Sequence, residues 1–205
     1  MRNLLYLFLL TMSAAYATEK TEETVVSSVP SIISNMLGKP APNFTLKDTG
    51  GESISLHDFK GKHVILEWFN PDCRRVQQLY QNQSVKNLIK KYVGKEVIWL
   101  AINSSHYMNQ EDNKRWRDIN LLPYRLLGDF TGETAKLYQV QTTPQIYIIN
   151  SNSVLVYQGA FDDDPDGNKS ELINYVEIAL EESLMNKPIS KAETKPYGCL
   201  VKYKY

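Results

Sequence analysis

Apolar residues along this chain change their period several times, and each change marks an element. Phe44 and Leu46, then Ile54 and Leu56, alternate with polar residues on either side of Asp48-Thr-Gly-Gly51, the pattern of a small hairpin around a glycine turn. Residues 55–59 allow one helical turn before Lys60-Gly61-Lys62 resets the chain. His63 to Phe69 is a nearly unbroken run of strand formers, as a central strand covered on both faces requires. Val76, Leu79, Tyr80, Val85, Leu88, Ile89 and Tyr92 then recur at helical spacing and predict a helix over 74–92. Residues 96–103 read as a second buried strand and 109–120 as a charged surface helix.

The rest repeats the alternation in shorter pieces. Residues 124–127 predict a strand, 131–138 a helix, and 145–150 with 154–161 a hairpin joined through Ser151-Asn-Ser. Leu172, Ile173, Val176, Ala179, Leu180 and Leu184 share one face of a closing helix over 169–185, with Asn168 and Glu171 placed to cap it. Beyond Pro188 the tail, 188–205, reads as extended. Alternating βα units followed by a hairpin and a helix imply an α/β fold with a mixed sheet and helices on both sides.

The N-terminus reads differently. Leu4 to Met12 is apolar, and Ala15-Tyr16-Ala17 has the small-x-small form that a signal peptidase cuts, so residues 1–17 are read as a signal peptide and 18–37 as a flexible polar leader. The apolar run is too short to span a bilayer as a helix, and no later segment has the required length, so no membrane span is expected. The ~190 residues that follow suit one domain, placed at 38–187. Export, with a bacterial periplasm as the expected destination, is the implied localisation. Formal net charge is zero and the basic residues are scattered, which argues against nucleic acid as a partner.

Cys73 carries the strongest chemical signal. It stands where the strand of 63–69 gives way to helix, so it would face a helix N-terminus, and Arg74 and Arg75 follow it; both surroundings favour the nucleophilic thiolate. The other cysteine is Cys199, so one intramolecular pairing exists, and an exported protein can form it. Asp162-Asp-Asp-Pro-Asp-Gly167 resembles the first half of a calcium loop but has Ile173 where the bidentate glutamate would stand, so it reads as a turn and helix-terminal charge cluster. His57, His63 and His106 lack metal-ligand spacing, and no glycine-rich phosphate loop is present. No cofactor or metal is expected.

Glu-Trp-Phe-Asn-Pro-Asp-Cys73, Thr142-Thr-Pro144 before the last hairpin, and the closing Thr-Lys-Pro-Tyr-Gly-Cys199-Leu-Val-Lys-Tyr together resemble the peroxiredoxin-like branch (redoxin, AhpC/TSA-like) of the thioredoxin superfamily. The resemblance runs over residues 38–203 and implies a thioredoxin-like three-layer sandwich. It also implies a cis Thr143-Pro144 bond that leaves the preceding backbone exposed beside Cys73, able to pair with an extended thiol substrate. Thr143 and Pro144 would then floor the site, with Asn70, Pro71, Asp72, Arg74 and Arg75 at its rim.

Glu67 lies six residues before Cys73, the offset of the buried acid of thioredoxins, which implies a proton acceptor behind the sulfur; strand alternation could instead turn it to solvent or to Lys62. Cys199 has three readings: a resolving thiol, a staple for the tail, or a free buried thiol. The chain also departs from the family pattern. Val76 stands where a Cys-x-x-Cys dithiol needs its second cysteine, which excludes ordinary thioredoxin shuttling. Leu66 and Asn70 replace the proline and hydroxyl residue of the usual peroxidatic motif, which argues against fast peroxidase chemistry unless Asn70 supplies the missing donor.

The expected function is an exported thiol-dependent oxidoreductase with Cys73 as nucleophile, Cys199 as the candidate resolver and Glu67 as the candidate proton relay. Its partners would be a reducing thiol protein and either a disulfide-bearing client protein or a peroxide. The alternative is a thioredoxin-fold binding or folding-assistance protein without redox turnover.

Overall fold

The computed structural model describes residues 36–92 and 94–204. The signal-peptide reading, and the leader up to residue 35, lie outside them. Seven strands form one mixed sheet: β1 (Thr45–Asp48), β2 (Ser53–Ser55), β3 (His63–Trp68), β4 (Val97–Asn103), β5 (Arg125–Gly128), β7 (Gln145–Ile149) and β8 (Leu155–Gly159), in the spatial order β2-β1-β5-β4-β3-β7-β8. β3, β4 and β5 are parallel; β1, β2, β7 and β8 add antiparallel edges. A separate two-stranded ladder joins β6 (Thr142–Thr143) to β9 (Cys199–Leu200).

β3 is buried at every position, as its apolar run requires in a strand with neighbours on both edges and helices on both faces. Its alternation divides the core. Ile65 and Phe69 face α1 (Arg74–Gln81), α2 (Ser84–Lys91) and α5 (Tyr175–Leu184), while Val64, Leu66 and Trp68 face α4 (Glu133–Leu137) and the N-terminal segment. α3 (Gln110–Asn120) is capped by Asn109, whose side chain accepts from the Glu111 and Asp112 amides, and lays Trp116 against Phe69 and Tyr80. The sheet, its flanking helices and the N-terminal hairpin make the thioredoxin-like three-layer sandwich expected from the sequence.

The structure corrects three boundaries. The helix over 74–92 is two helices, α1 and α2, broken where Gln83 takes a left-handed conformation (φ 61°); the break lets Val85 and Leu88 reach the core after Val76, Leu79 and Tyr80. α5 begins at Tyr175, capped by Asn174, because residues 169–173 are drawn into the acidic loop instead: the Asp163 amide donates to the Ile173 carbonyl, and the Ile173 amide donates to the Asp163 carboxylate. Met36 and Leu37, read as leader, pack against the core, where the Gly38 amide donates to the Leu155 carbonyl. Among the described residues no helix is long and apolar enough to cross a membrane.

Candidate functional site

Cys73 is the N-cap of α1: its amide donates to the Asn70 carbonyl at 2.9 Å and its carbonyl accepts from Gln77 at 2.9 Å, so the sulfur sits where the helix's first amides are unpaired. Its side chain is buried. It forms a disulfide with Cys199, with a Cα–Cα distance of 5.8 Å, and lies 3.1 Å from the Thr143 carbonyl oxygen. The Thr143-Pro144 bond is cis.

The strand edge expected to be open beside Thr143 is filled. Thr143 pairs with Cys199 and Thr142 with Leu200, antiparallel, in the position that the sequence reading reserved for an extended thiol substrate. The tail continues along this edge: the Val201 amide donates to the Gln141 carbonyl, the His106 amide to the Lys202 carbonyl, and the Tyr203 hydroxyl to the Val140 carbonyl. Upstream, Thr194 bonds Tyr157 and Ala160. The segment read as an extended tail is therefore built into the body on both sides of Cys199.

Gly198 explains how the tail comes so close. At φ 129° it occupies a region that only glycine adopts readily, and a Cβ there would lie 2.1 Å from the Thr143 carbonyl oxygen. Gly198→Ala should destabilise the oxidised protein by about 2 kcal/mol or more through strain and clash. Urea denaturation checks this; an unchanged midpoint would mean that the tail backbone shifts freely at this point.

Around the disulfide, the rim residues mainly bind one another. Asn70 accepts from the Asp72 amide and donates to the Tyr107 hydroxyl at 3.1 Å, and Tyr107 in turn donates to the Asp72 carboxylate at 3.0 Å. Pro71 offers its carbonyl to Gln77. Arg74 is exposed, with no ion pair among the described residues. Arg75 is half-buried. Its guanidinium donates to the Asp164 carbonyl and to Gln78, and lies over the ring of Tyr197 at 5.1 Å from the centroid. Tyr197 closes the contact by donating to the Asp162 carboxylate. Arg75 is thus engaged by the tail and by the acidic loop.

Glu67 is fully buried, on the α1 side of β3, and does not reach solvent or Lys62, which pairs with Glu96 instead. Its carboxylate accepts from Trp99 at 2.9 Å and from the Tyr80 hydroxyl at 3.0 Å, and Tyr80 is 2.7 Å from the Tyr124 hydroxyl. Burial pushes its pKa up to about 7, with the Trp99 and Tyr80 bonds holding it back from rising further. The carboxylates of the 162–164 loop cap nearby amides: Asp164 accepts from Gly167, Asn168 and Lys169, and Asp163 pairs with Lys169.

The sequence reading missed Trp99, Tyr80 and Tyr124 as the groups around Glu67, and Tyr107, Tyr197 and Gly198 as groups around the disulfide. For the last two a signal was present, since Tyr-Gly stands directly before Cys199; for the others only the fold supplies it.

A thiol placed at a helix N-terminus, beside a cis-proline loop and bonded to a second cysteine, is an arrangement for thiol–disulfide chemistry. Comparison with known proteins agrees. Thioredoxin-like protein YneN of Bacillus subtilis is 31% identical over 119 residues, 58% of this chain and 68% of its own. Peroxiredoxin Q of Suaeda salsa is 28% identical over 153 residues, covering 68% of this chain and 67% of its own. A crystal structure of a conserved protein from Geobacillus kaustophilus superposes with a TM-score of 0.73 at 29% identity, covering 82% of this chain and 92% of that one. The AhpC/TSA family description matches residues 37–158, which hold Cys73 and the strands of the main sheet apart from the last residue of β8 but stop short of Cys199. This chain belongs to the AhpC/TSA family.

Proposed function

We propose that the protein is an exported thiol-dependent oxidoreductase that cycles between the Cys73–Cys199 disulfide and the dithiol, with Cys73 as nucleophile. The observation that carries this reading is the β6–β9 pairing, which sets Cys199 in bonding distance of Cys73 across 126 residues of sequence. The same pairing favours a small oxidant over an extended polypeptide, because the tail occupies the strand edge that such a client would need. It likewise deprives the binding-protein alternative of its groove.

With hydrogen peroxide, the Cys73 thiolate attacks one oxygen, the O–O bond breaks, and Cys73 becomes a sulfenic acid while hydroxide leaves and takes a proton as water. The Cys199 thiolate then attacks the Cys73 sulfur, forming the disulfide and releasing the sulfenic oxygen as a second water once protons are supplied. A dithiol protein restores the thiols by attacking the partly exposed Cys199 sulfur, which needs no pairing along the edge that the tail fills. Its first thiolate forms a mixed disulfide and frees Cys73, and its second releases Cys199 as its own disulfide forms. The N-terminus of α1 and the free charge of Arg74 favour the Cys73 thiolate at both ends of the cycle. Glu67, whose pKa lies near neutral, is suited to exchanging protons behind α1.

The test is to mix the reduced full-length protein with one equivalent of hydrogen peroxide, quench with an alkylating agent and map the cysteines by mass. The wild type should form the Cys73–Cys199 disulfide, and Cys199→Ser should stop at a Cys73 sulfenic acid that a dione probe captures. Recovery of both thiols unmodified would overturn the reading.

A further inference from the structure

Two residues after Cys73, Arg75 lies against Tyr197, which stands two residues before Cys199. The disulfide is thus accompanied by a second link between the same two segments, and this link is non-covalent. It has three parts: the Arg75 guanidinium over the Tyr197 ring, the Arg75 bond to the Asp164 carbonyl, and the Tyr197 bond to the buried Asp162 carboxylate. Asp162 is itself fixed, accepting from the Asp164 amide at 3.0 Å and bridging to Asn174 ahead of α5. Neither the bonds upstream at Thr194 nor those downstream at Val201 and Lys202 involve sulfur.

We propose that Arg75, Tyr197 and Asp162 are positioning residues that hold the tail against α1 when the disulfide is reduced, so that Cys199 meets Cys73 without any unfolding of the tail. The inference rests on the two-cysteine reading above and adds what makes its second step efficient. A docked tail fixes Cys199 at a high effective concentration relative to Cys73; a loose tail spreads the same thiol over the volume that its segment can explore. A cation held over an aromatic ring, backed by a buried hydrogen bond to a carboxylate, is a contact strong enough to make that difference.

The effective concentration is measured by equilibrating the full-length protein with glutathione buffers, alkylating, and reading the oxidised fraction by mass. In this exchange the two protein thiols give two electrons and two protons to glutathione disulfide; one S–S bond forms, one breaks, and two glutathione thiols appear. Tyr197→Ala should lower the equilibrium constant for disulfide formation at least ~10-fold, equivalent to about 30 mV for this two-electron couple. Tyr197→Phe, which keeps the ring over Arg75 and loses only the Asp162 bond, should fall between Tyr197→Ala and wild type.

A residue that merely supported the fold equally in both redox states would alter thermal stability and leave this constant alone. Constants within twofold of wild type for both variants would overturn the proposal. Should Tyr197→Ala not fold, Tyr197→Phe decides by the same criterion. Failure of the peroxide reaction would instead overturn the functional reading, since the glutathione equilibrium needs no peroxide.

Discussion

Reduction of the Cys73–Cys199 disulfide should lower the unfolding free energy by about 4–5 kcal/mol, and Cys199→Ser should lower it by a similar amount. The loop closed by this bond spans 126 residues of sequence, and by chain-entropy reasoning a cross-link of that length removes close to 5 kcal/mol of conformational freedom from the unfolded chain. How much of that appears as stability depends on the native state. If the reduced native tail were loose, the cross-link would restrict it too and the gain would shrink. Because the tail is docked by Thr194, Tyr197, Val201 and Tyr203 through contacts that contain no sulfur, the native state gives up little, and nearly the full amount is expected. Urea denaturation with and without reductant measures the difference. A loss below ~1 kcal/mol would show that the tail is mobile once reduced. The same cycle ties stability to redox chemistry: whatever the disulfide adds to stability, the folded state adds to the tendency of the disulfide to form.

Much of the fold was legible because its signals are local. The run from His63 to Phe69 could be read as a central strand because burial on both faces favours apolar residues along its length, and β3 has them except at His63 and Glu67. Residues 109–120 could be read as a charged surface helix, and α3 forms there with Asn109 and Asp112 closing a capping box at its start. Long-range competition was not legible. Residues 169–173 keep a helical pattern of apolar positions, yet Asp163 captures the Ile173 amide and leaves Leu172 and Ile173 exposed, which no reading of that segment alone could anticipate. The site divided in the same way. Cys73, Thr143 and Pro144 stood out by motif. The contact of Arg75 with Tyr197 depends on where residue 197 comes to rest, next to Gly198 in its close approach to the Thr143 carbonyl, and no local pattern shows that.

Glu67→Gln should make the protein more stable at pH 8 and shift its stability little at pH 4.5, with a difference between the two effects of about 3 kcal/mol. The glutamate titrates near its ordinary 4.5 in the unfolded chain and near 7 when buried in the fold, where loss of hydration outweighs the bonds from Trp99 and Tyr80. Between these values the native state binds the proton and the unfolded state does not. Stability due to this group is therefore fully present below the unfolded pKa, declines as pH rises through 4.5 to 7, and is gone above 7. Glutamine is neutral throughout and close to the protonated acid in shape, so it removes the decline while leaving an oxygen for Trp99 and Tyr80. Urea denaturation of both proteins between pH 4.5 and 8 is the measurement. Parallel stability curves would mean that the glutamate holds its ordinary pKa in the fold, and would remove its claim to proton exchange near neutral pH. Curves that diverge as expected would leave Glu67 as a buried acid poised at the pH where the thiol chemistry must run, one that the fold keeps despite a cost in stability that an amide avoids.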